Sequence, residues 1–395
     1  MTGKQRVTIL GSTGSVGANT LDVIRRHPDR FEVFALTAKS RWELLLAQAA
    51  EFKPLFVVMI DPEAASALAA RLKAEGLATH VLTGEQALCD VAREERVDTV
   101  MAAIVGAAGL APCIAAARTG KRLLLANKEA LVIGGDVFMN AVQEGGATLL
   151  PIDSEHSAIF QSLPENRTTW ASRIDKIILT ASGGPFLNRD LVTFGAITPA
   201  EACTHPNWVM GRKISVDSAT MMNKALEVIE AKYLFGVLPS QIEVVIHPQS
   251  IVHSMVQYKD ASVVAQLGTP DMRVPIAYGL SYPDRMESGA ASLDFHALAS
   301  MTFAKPDLDR FPSLELAWAA MSEPSGAILL NAANEIAVDA FLEGRIRFDQ
   351  IHVLNAEIVA SLACPTATQL TDILGIDDLV RQVARQVCTR LEGEK

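Results

Sequence analysis

The chain has 395 residues, of which 49% are hydrophobic and 20% charged, and its net charge is −10 at pH 7. This composition excludes a largely disordered chain and leaves room for about two or three domains. The acidic balance argues against nucleic acid as the main partner, although a small anionic ligand can still bind at a locally basic site.

Strands and helices are predicted to alternate over residues 1–150. Helical patterns such as Arg41–Glu51 and Pro62–Glu75 separate the strand candidates. The alternation predicts an α/β fold with a Rossmann-like parallel sheet covered on both faces. The strand candidates are Val7–Leu10, Phe31–Leu36, Leu55–Ile60, His80–Leu82, Thr99–Ile104, Arg122–Ala126 and Thr148–Pro151.

An uncharged stretch from Thr99 to Ala117 is long enough to suggest a membrane span. It consists mostly of Ala and Gly and contains Pro112, so we predict a buried strand, a turn at Gly106 and then a helix. We therefore expect no contact with a membrane. The N-terminus lacks an apolar signal segment and the five cysteines form no C-x-x-C pair, which favours a cytoplasmic protein with reduced thiols.

A glycine-rich loop follows the first predicted strand, with the sequence Gly11-Ser-Thr-Gly14-Ser-Val-Gly17. Glycines at this spacing let the backbone turn tightly and approach a pyrophosphate at the N-terminus of the next helix. The strand–turn–helix context indicates a dinucleotide site, and the alternative is an ordinary tight turn.

The end of the second predicted strand bears on the choice between NAD and NADP. An NAD site usually has an acidic residue here, whereas this chain has Lys39-Ser40-Arg41. A basic, hydroxyl-bearing segment suits a 2′-phosphate, so we predict NADP binding at Lys39, Ser40 and Arg41. The alternative is that both cations are merely solvated loop charges.

Polar residues also follow the strand predicted at Arg122–Ala126. Because the carboxyl ends of parallel strands face the ligand crevice, Lys128 is predicted to contact substrate. Asn127 and Glu129 are then expected nearer the cofactor. The alternative is a surface turn.

Three further segments with different secondary structure are predicted after residue 150. Closely spaced strands predict a central α+β catalytic domain over residues 151–280, followed by an extended, Pro-containing linker over 281–312. Residues 313–395 are predicted to form a C-terminal helical bundle. Its predicted helices are 313–322, 325–343, 348–362 and 375–392.

Two carboxylates begin the central domain, at Asp153 and Glu155. In an extended chain, residues two apart point the same way, so these carboxylates would repel each other without a cation between them. A hard cation, Mg²⁺ or Mn²⁺, would relieve that repulsion. The alternative is an exposed acidic turn.

The segment Lys213–Glu227 adds a third acidic group in a polar setting. Asp217 or Ser218 is predicted to cap a helix that begins there. Asn223, Lys224 and Glu227 then share one helical face. We predict Glu227 as a metal ligand, with Asn223, Lys224 and Ser218 holding a phosphate. The alternative is a simple Lys–Glu surface pair.

A further anion site is predicted at Ser182-Gly183-Gly184, just after the strand that ends near Thr180. A hydroxyl beside two glycines can form a nest of backbone N–H groups that binds phosphate. An ordinary turn is the alternative.

The segment 202–213 has the composition of a lid over a ligand. Trp208 and Met210 provide large side chains to cover the site, Gly211 provides a hinge, and His205 is placed to bond a substrate oxygen. His156, His247 and His253 are interpreted as structural.

Taken together, the chain resembles the 1-deoxy-D-xylulose 5-phosphate reductoisomerase family of the non-mevalonate isoprenoid pathway. The resemblance covers nearly the whole chain and is most specific in the long central motif. The matching stretches are Gly11–Gly17, Leu125–Glu129, Pro151–His156, Ser182–Phe186, His205–Trp208, Met210–Lys224, Ile246–Ser250 and Asn331–Glu335.

The resemblance implies a set of site residues and a homodimer. Metal ligands are implied at Asp153, Glu155 and Glu227. Substrate contacts are implied at Lys128, Ser154, Ser182, His205, Ser218, Asn223 and Lys224, and cofactor contacts at Thr13, Gly14, Ser15, Val16, Asn127, Glu129 and Gly211.

The chain departs from the family pattern after the second predicted strand. Many members have Gly or Ala, then Lys or Ser, then Asn at the positions where this chain has Lys39-Ser40-Arg41.

The resemblance also implies the reaction. The family isomerises a small phosphorylated ketose and reduces the resulting aldehyde to 2-C-methyl-D-erythritol 4-phosphate, using NADPH and a divalent metal ion. There are two alternatives: another NADP-dependent sugar or semialdehyde dehydrogenase, which would need no metal triad, and a non-enzymatic NADPH-sensing regulator. A regulator would need the glycine loop but not the three carboxylates together with Lys224.

Overall fold

Short apolar strands and intervening helices make up most of the computed structural model, which describes residues 3–206, 208, 211–298 and 300–394. The chain forms two compact units. The first contains residues 1–130, 138–157 and 271–291, and the second contains residues 131–137, 158–270 and 292–395. The domain boundaries predicted at residues 150, 280 and 312 differ from these bounds and stay a prediction.

In its described part, the first unit has a seven-stranded parallel sheet in the order β4-β3-β2-β1-β5-β6-β7. Its inner strands are buried on both faces, as helices on both sides of a parallel sheet require. The α/β fold predicted from sequence is confirmed. The strands are β1 Gln5–Leu10, β2 Phe31–Ala38, β3 Phe56–Met59, β4 His80–Thr83, β5 Thr99–Ala102, β6 Arg122–Leu125 and β7 Thr148–Pro151.

Helices connect these strands and continue into the middle of the chain. Among the described residues, no helix is both long and apolar enough to cross a membrane. The helices are α1 Ser15–Arg26, α2 Trp42–Phe52, α3 Pro62–Ala74, α4 Glu85–Arg93, α5 Leu110–Arg118, α6 Lys128–Gly145, α7 Ser154–Ser162 and α8 Trp170–Arg173.

The second unit contains a four-stranded sheet in the order β11-β10-β8-β9 among its described residues. Strand β8 pairs parallel with β9 and antiparallel with β10, and β10 forms the predicted hairpin with β11. This mixed pairing agrees with the predicted α+β pattern. The strands are β8 Ile174–Ala181, β9 Ile242–Ile246, β10 Val252–Tyr258 and β11 Val263–Leu267.

The remaining helices include the predicted C-terminal bundle, in which α14 packs against both α15 and α16. Phe348 is the centre of an aromatic cluster there, with ring centroids 5.3 Å from Phe186 and 5.6 Å from Phe341. The helices are α9 Pro199–Ala202, α10 Arg212–Ala219, α11 Met222–Phe235, α12 Arg273–Ser281, α13 Ser313–Ser322, α14 Gly326–Leu342, α15 Phe348–Ser361 and α16 Leu370–Glu392. Short 3-10 turns lie at Ala107–Gly109, Arg167–Thr169, Leu191–Ala196 and Pro239–Gln241.

Candidate active site

The glycine loop joins β1 to α1 as predicted, and two of its glycines are required by close contacts. Gly11 has φ +81°, and a Cβ there would lie 2.7 Å from the carbonyl oxygen of Ala103. A Cβ at Gly17 would lie 2.4 Å from the carbonyl oxygen of Gly11. Gly14 occupies the N-cap position of α1 without a side-chain cap, so the first N–H groups of the helix can meet an anion.

The other loop residues predicted to touch the cofactor lie in the same connection. Thr13 precedes the N-cap, while Ser15 and Val16 form the first turn of α1. Lys39, Ser40 and Arg41 are exposed at the carboxyl end of β2, and Arg41 is the N-cap residue of α2. Both groups are in the first unit, at the edge of the sheet where ligands of doubly wound folds bind.

Asn127 and Lys128 occupy the start of α6, after β6. The Asn127 side chain accepts a hydrogen bond of 2.8 Å from the backbone N–H of Ala130 and so caps the helix. Lys128 is 7% exposed and forms an ion pair with Asp153. Glu129, next in the helix, is also buried. The structure therefore brings two of the predicted site residues, Lys128 and Asp153, into direct contact.

The predicted extended geometry of Asp153-Ser154-Glu155 is wrong. Strand β7 ends at Pro151 and α7 begins at Ser154, so Glu155 is in the first turn of a helix. The carbonyl of Asp153 accepts the Ser157 N–H at 2.8 Å, which fixes Asp153 at the helix start. The Ser154 hydroxyl donates to Glu155 at 2.6 Å. Helix initiation, rather than strand alternation, orients these carboxylates.

Helix α11 presents the predicted polar face. Asn223 donates from Nδ2 to Glu227 Oε1 at 2.5 Å, and the Lys224 ammonium pairs with the other carboxylate oxygen. Glu227 is fully buried and Lys224 is 3% exposed. Burial of a carboxylate is costly unless cations and hydrogen bonds compensate it, and both are present here.

The prediction that Asp217 or Ser218 caps a helix start is wrong. Both residues lie in the last turn of α10, which begins at Arg212 after the N-cap Gly211. The helix stops because Met221 adopts φ +61°, a left-handed conformation, and α11 starts directly after it. Ser218 is thus next to a helix break rather than at a positive helix end.

The loop after β8 contains the predicted nest. Gly183 and Gly184 have φ of +83° and +66°, and the Gly184 N–H donates to the Ser182 hydroxyl at 3.1 Å. That hydroxyl also lies 3.1 Å from His205 Nε2. A Cβ at Gly184 would be 2.8 Å from the Ser218 carbonyl oxygen, so only glycine lets this loop approach α10.

Two of the predicted lid residues, His205 and Trp208, contact each other beside this loop. The backbone N–H of Trp208 donates to His205 Nδ1 at 3.0 Å, and its ring lies 6.4 Å from that of His253. Met210, predicted to contact substrate, lies outside the described residues.

Sequence reasoning missed a buried polar cluster that ends on Asp217. Lys213 Nζ lies 2.9 Å from Asp217 Oδ2, and Asn334 of α14 donates to Oδ1 at 2.7 Å. The available signal was the pair of asparagines in Asn331-Ala-Ala-Asn334, inside a mostly apolar helix.

The described groups could hold a dinucleotide and a phosphorylated ligand, and their carboxylates offer oxygen ligands of the kind Mg²⁺ prefers. This fold and chemistry define a dinucleotide-dependent oxidoreductase. Models of the 1-deoxy-D-xylulose 5-phosphate reductoisomerase family match residues 7–135, and those of its C-terminal domains match residues 149–235 and 267–383. The chain belongs to the 1-deoxy-D-xylulose 5-phosphate reductoisomerase family.

Curated relatives and solved structures agree. The chain is 58% identical to 1-deoxy-D-xylulose 5-phosphate reductoisomerase of Cupriavidus pinatubonensis, with 96% of each chain covered. The Pseudomonas paraeruginosa protein of that name is 54% identical with full coverage of both chains.

Two solved structures give the same result at the level of the fold. One, a DOX-P reductoisomerase in complex with NADPH, fosmidomycin and magnesium, has a TM-score of 0.95 and 46% identity, covering 98% of this chain and 99% of that one. The Zymomonas mobilis enzyme in complex with NADPH has a TM-score of 0.91 and 43% identity, with the same coverage.

Proposed function

We propose that this chain converts 1-deoxy-D-xylulose 5-phosphate into 2-C-methyl-D-erythritol 4-phosphate, with NADPH as reductant and a divalent metal ion as cofactor. The observation that supports this most is the buried Asn223–Lys224–Glu227 face in a chain that matches the family along almost its whole length. The regulatory alternative has no support, because these relatives are reductoisomerases.

NADPH is assigned to the glycine loop of the first unit. The Gly11–Gly17 connection offers backbone N–H groups to the pyrophosphate. Lys39, Ser40 and Arg41 would bind the 2′-phosphate, because their exposed cations and hydroxyl suit a dianion. Asn127, Glu129 and Gly211 complete the proposed cofactor contacts.

Metal binding is assigned to Asp153, Glu155 and Glu227. All three offer carboxylate oxygens, the ligand type that fits Mg²⁺ and equally Mn²⁺. Asp153 is paired with Lys128 and Glu227 with Lys224, so cations already lie beside two of the three proposed ligands. When bound, the metal supplies Lewis acidity toward the substrate carbonyl.

The remaining polar groups are assigned to the substrate. Lys128 would stabilise negative charge that develops on a substrate oxygen, because its ammonium is buried and already oriented by Asp153. Lys224 and Asn223 would bind the phosphate, together with the Gly183–Gly184 amides. Further proposed contacts come from Ser154, Ser182, His205, Trp208, Met210 and Ser218.

We also propose a cytoplasmic homodimer that binds no nucleic acid. The dimer rests on the resemblance to the family, and the absence of nucleic acid rests on the net charge of −10. Segment 202–213 is proposed to close over the substrate and keep water from the aldehyde.

The decisive experiment is NADPH oxidation, followed by absorbance, with 1-deoxy-D-xylulose 5-phosphate and either Mg²⁺ or Mn²⁺. Oxidation is expected with each metal and is expected to stop when EDTA is added. Turnover that persists in EDTA would contradict the metal assignment. If NADPH binds but is not oxidised, 1-deoxy-D-xylulose 5-phosphate is not the substrate.

A variant pair tests the role of Glu227. Glu227→Gln is expected to lower kcat by at least about 1000-fold, because it removes a metal ligand's charge, and to leave NADPH affinity within about twofold. The matched control is Glu243→Gln, which also removes a lysine-paired glutamate of the second unit, but one whose side chain is exposed on β9. An active Glu227→Gln enzyme would remove Glu227 from the ligand set.

A further inference from the structure

A chain of buried hydrogen bonds joins three helices of the second unit. Asn355 of α15 donates from Nδ2 to Asn334 Oδ1 of α14 at 3.0 Å. Asn334 in turn donates to Asp217 Oδ1 of α10 at 2.7 Å, and Lys213 pairs with the second oxygen at 2.9 Å. Both asparagines are fully buried and Asp217 is 1% exposed.

Packing alone does not account for these asparagines. Around Asn334, the residues Leu330, Ala333 and Ala337 of α14 are apolar and fully buried. A buried amide costs free energy unless its hydrogen bonds are made, and apolar residues would fill the same space without that requirement. What the amides provide instead is a fixed direction, because a hydrogen bond sets both the distance and the orientation of its acceptor.

The acceptor, Asp217, lies directly before a proposed substrate contact. Ser218 follows Asp217 in the last turn of α10. The Ser218 carbonyl packs so closely against Gly184 that a Cβ added to Gly184 would lie 2.8 Å from the carbonyl oxygen. Gly184 belongs to the loop that contains Ser182. A shift of Asp217 along or about α10 would therefore displace Ser218 and push against the Ser182 loop.

We propose that Asn334 is a positioning residue for phosphate recognition. It fixes Asp217, and through Asp217 it fixes Ser218 and the adjacent Ser182–Gly184 loop in the arrangement that binds the phosphate of the substrate. Asn355 supports it by orienting its amide. The proposal deepens the proposed function and rests on its assignment of the phosphate to these residues.

The test compares Asn334→Ala with Asn331→Ala. Asn331 is the matched control because it is equally buried on α14 but donates to Glu335 rather than to Asp217. Asn334→Ala is expected to raise KM for 1-deoxy-D-xylulose 5-phosphate about ten- to hundredfold, because a displaced Ser218 and Ser182 loop would lose about one hydrogen bond to the charged phosphate. The KM of Asn334→Ala for NADPH and its kcat should change less than about threefold. In Asn331→Ala, both KM values and kcat should stay within the same threefold limit. Equal effects of the two variants would overturn the proposal.

Two further measurements separate positioning from loss of stability. Asn355 reaches Asp217 only through Asn334, so Asn355→Ala should raise KM for 1-deoxy-D-xylulose 5-phosphate by a smaller factor than Asn334→Ala. In a double-mutant cycle, Asn334→Ala should have almost no additional effect on KM in an Asp217→Ala background, because both act through one carboxylate. Additive effects would overturn the proposal.

Binding of inorganic phosphate provides a readout that does not need turnover. Phosphate should raise the Tm of the wild-type chain and of Asn331→Ala, and should raise that of Asn334→Ala much less. This result would support the inference even if the wild type failed to oxidise NADPH with the proposed substrate, an outcome that would contradict only the proposed function. An equal Tm increase in all three proteins, or none in the wild type, would overturn the inference.

Discussion

A buried lysine is the clearest single-residue feature of the first unit. Lys128 lies beyond the carboxyl end of β6 and pairs with Asp153, while Lys121 lies just before the amino end of the same strand. Both ammonium groups are mostly shielded from water. Burial lowers the pKa of Lys121, whose ammonium donates to the Glu95 carbonyl at 3.2 Å. Because Lys121 and Lys128 are both buried but lie at opposite ends of β6, comparing their variants separates the effect of a lysine's position from the effect of its burial.

Lys128→Gln is expected to lower kcat/KM about 100- to 1000-fold, because it removes the charge proposed to stabilise a substrate oxyanion. Steady-state kinetics with saturating NADPH provides the measurement. Lys121→Gln, the control, should retain activity within about threefold. Similar losses in both variants would indicate that a buried charge matters for folding and not for the reaction.

At the scale of elements, regular segments were predictable and their interruptions were not. The strands and the four C-terminal helices follow from repeated apolar positions, which many residues determine together. The break at Met221 and the kink of α6 at Gly135, with φ +45° and ψ −127°, each depend on one residue. Methionine has no preference for the left-handed region, so no local signal marks Met221.

The same contrast explains the two errors at the site. Motifs are enough to propose Asp153, Glu155, Ser218 and Glu227 as site residues, but the local geometry of Asp153, Glu155 and Ser218 depends on where α7 begins and α10 ends. Helix ends are fixed by caps and tertiary contacts, such as the one between Asp217 and Asn334, which are remote in sequence.

The glycine loop gives a prediction for an element. Gly17→Ala should raise the dissociation constant of NADPH at least about tenfold, since its Cβ would lie 2.4 Å from the Gly11 carbonyl and the backbone must move. Fluorescence titration of NADPH measures the change. Gly375→Ala, within α16 where a Cβ meets no atom within 4 Å, should leave NADPH binding unchanged and stabilise the fold by about 0.5–1 kcal/mol. Normal NADPH affinity in Gly17→Ala would show that the loop does not approach the pyrophosphate.

At the scale of the whole molecule, the proposed ligand groups divide between the two units. The proposed nucleotide contacts of the Gly11–Gly17 loop and of Lys39, Ser40 and Arg41 are in the first unit. Five proposed substrate contacts, Ser182, His205, Ser218, Asn223 and Lys224, are in the second unit. NADPH and inorganic phosphate should therefore report on different stretches of the intact protein.

Hydrogen exchange followed by mass spectrometry should resolve this division. NADPH is expected to slow amide exchange in residues 11–17, and inorganic phosphate is expected to slow it in residues 182–184 and 218–224, because bound anions protect the amides that they contact. Lys224→Gln should abolish the phosphate effect and keep the NADPH effect. Protection of residues 11–17 by phosphate alone would contradict the assignment.

The first unit is assembled from three separate stretches of chain, which sequence patterns could not reveal. Its last stretch, Asp271–Ala291, is tied to the earlier ones by contacts without local signals. Arg273 pairs with Asp22 at 3.2 Å, and Arg122 donates to the Leu280 carbonyl at 3.0 Å.

This arrangement sets an order for events on the ribosome. The seven strands of the parallel sheet are all synthesised by Pro151, yet α12 and its partners emerge only after Asp271. At about 5–20 residues per second, the nascent sheet waits of the order of ten seconds for the segment that completes its unit. During that interval the surface that α12 later covers on β6 and β7 is exposed to solvent, which makes the nascent unit more prone to aggregation than the finished one.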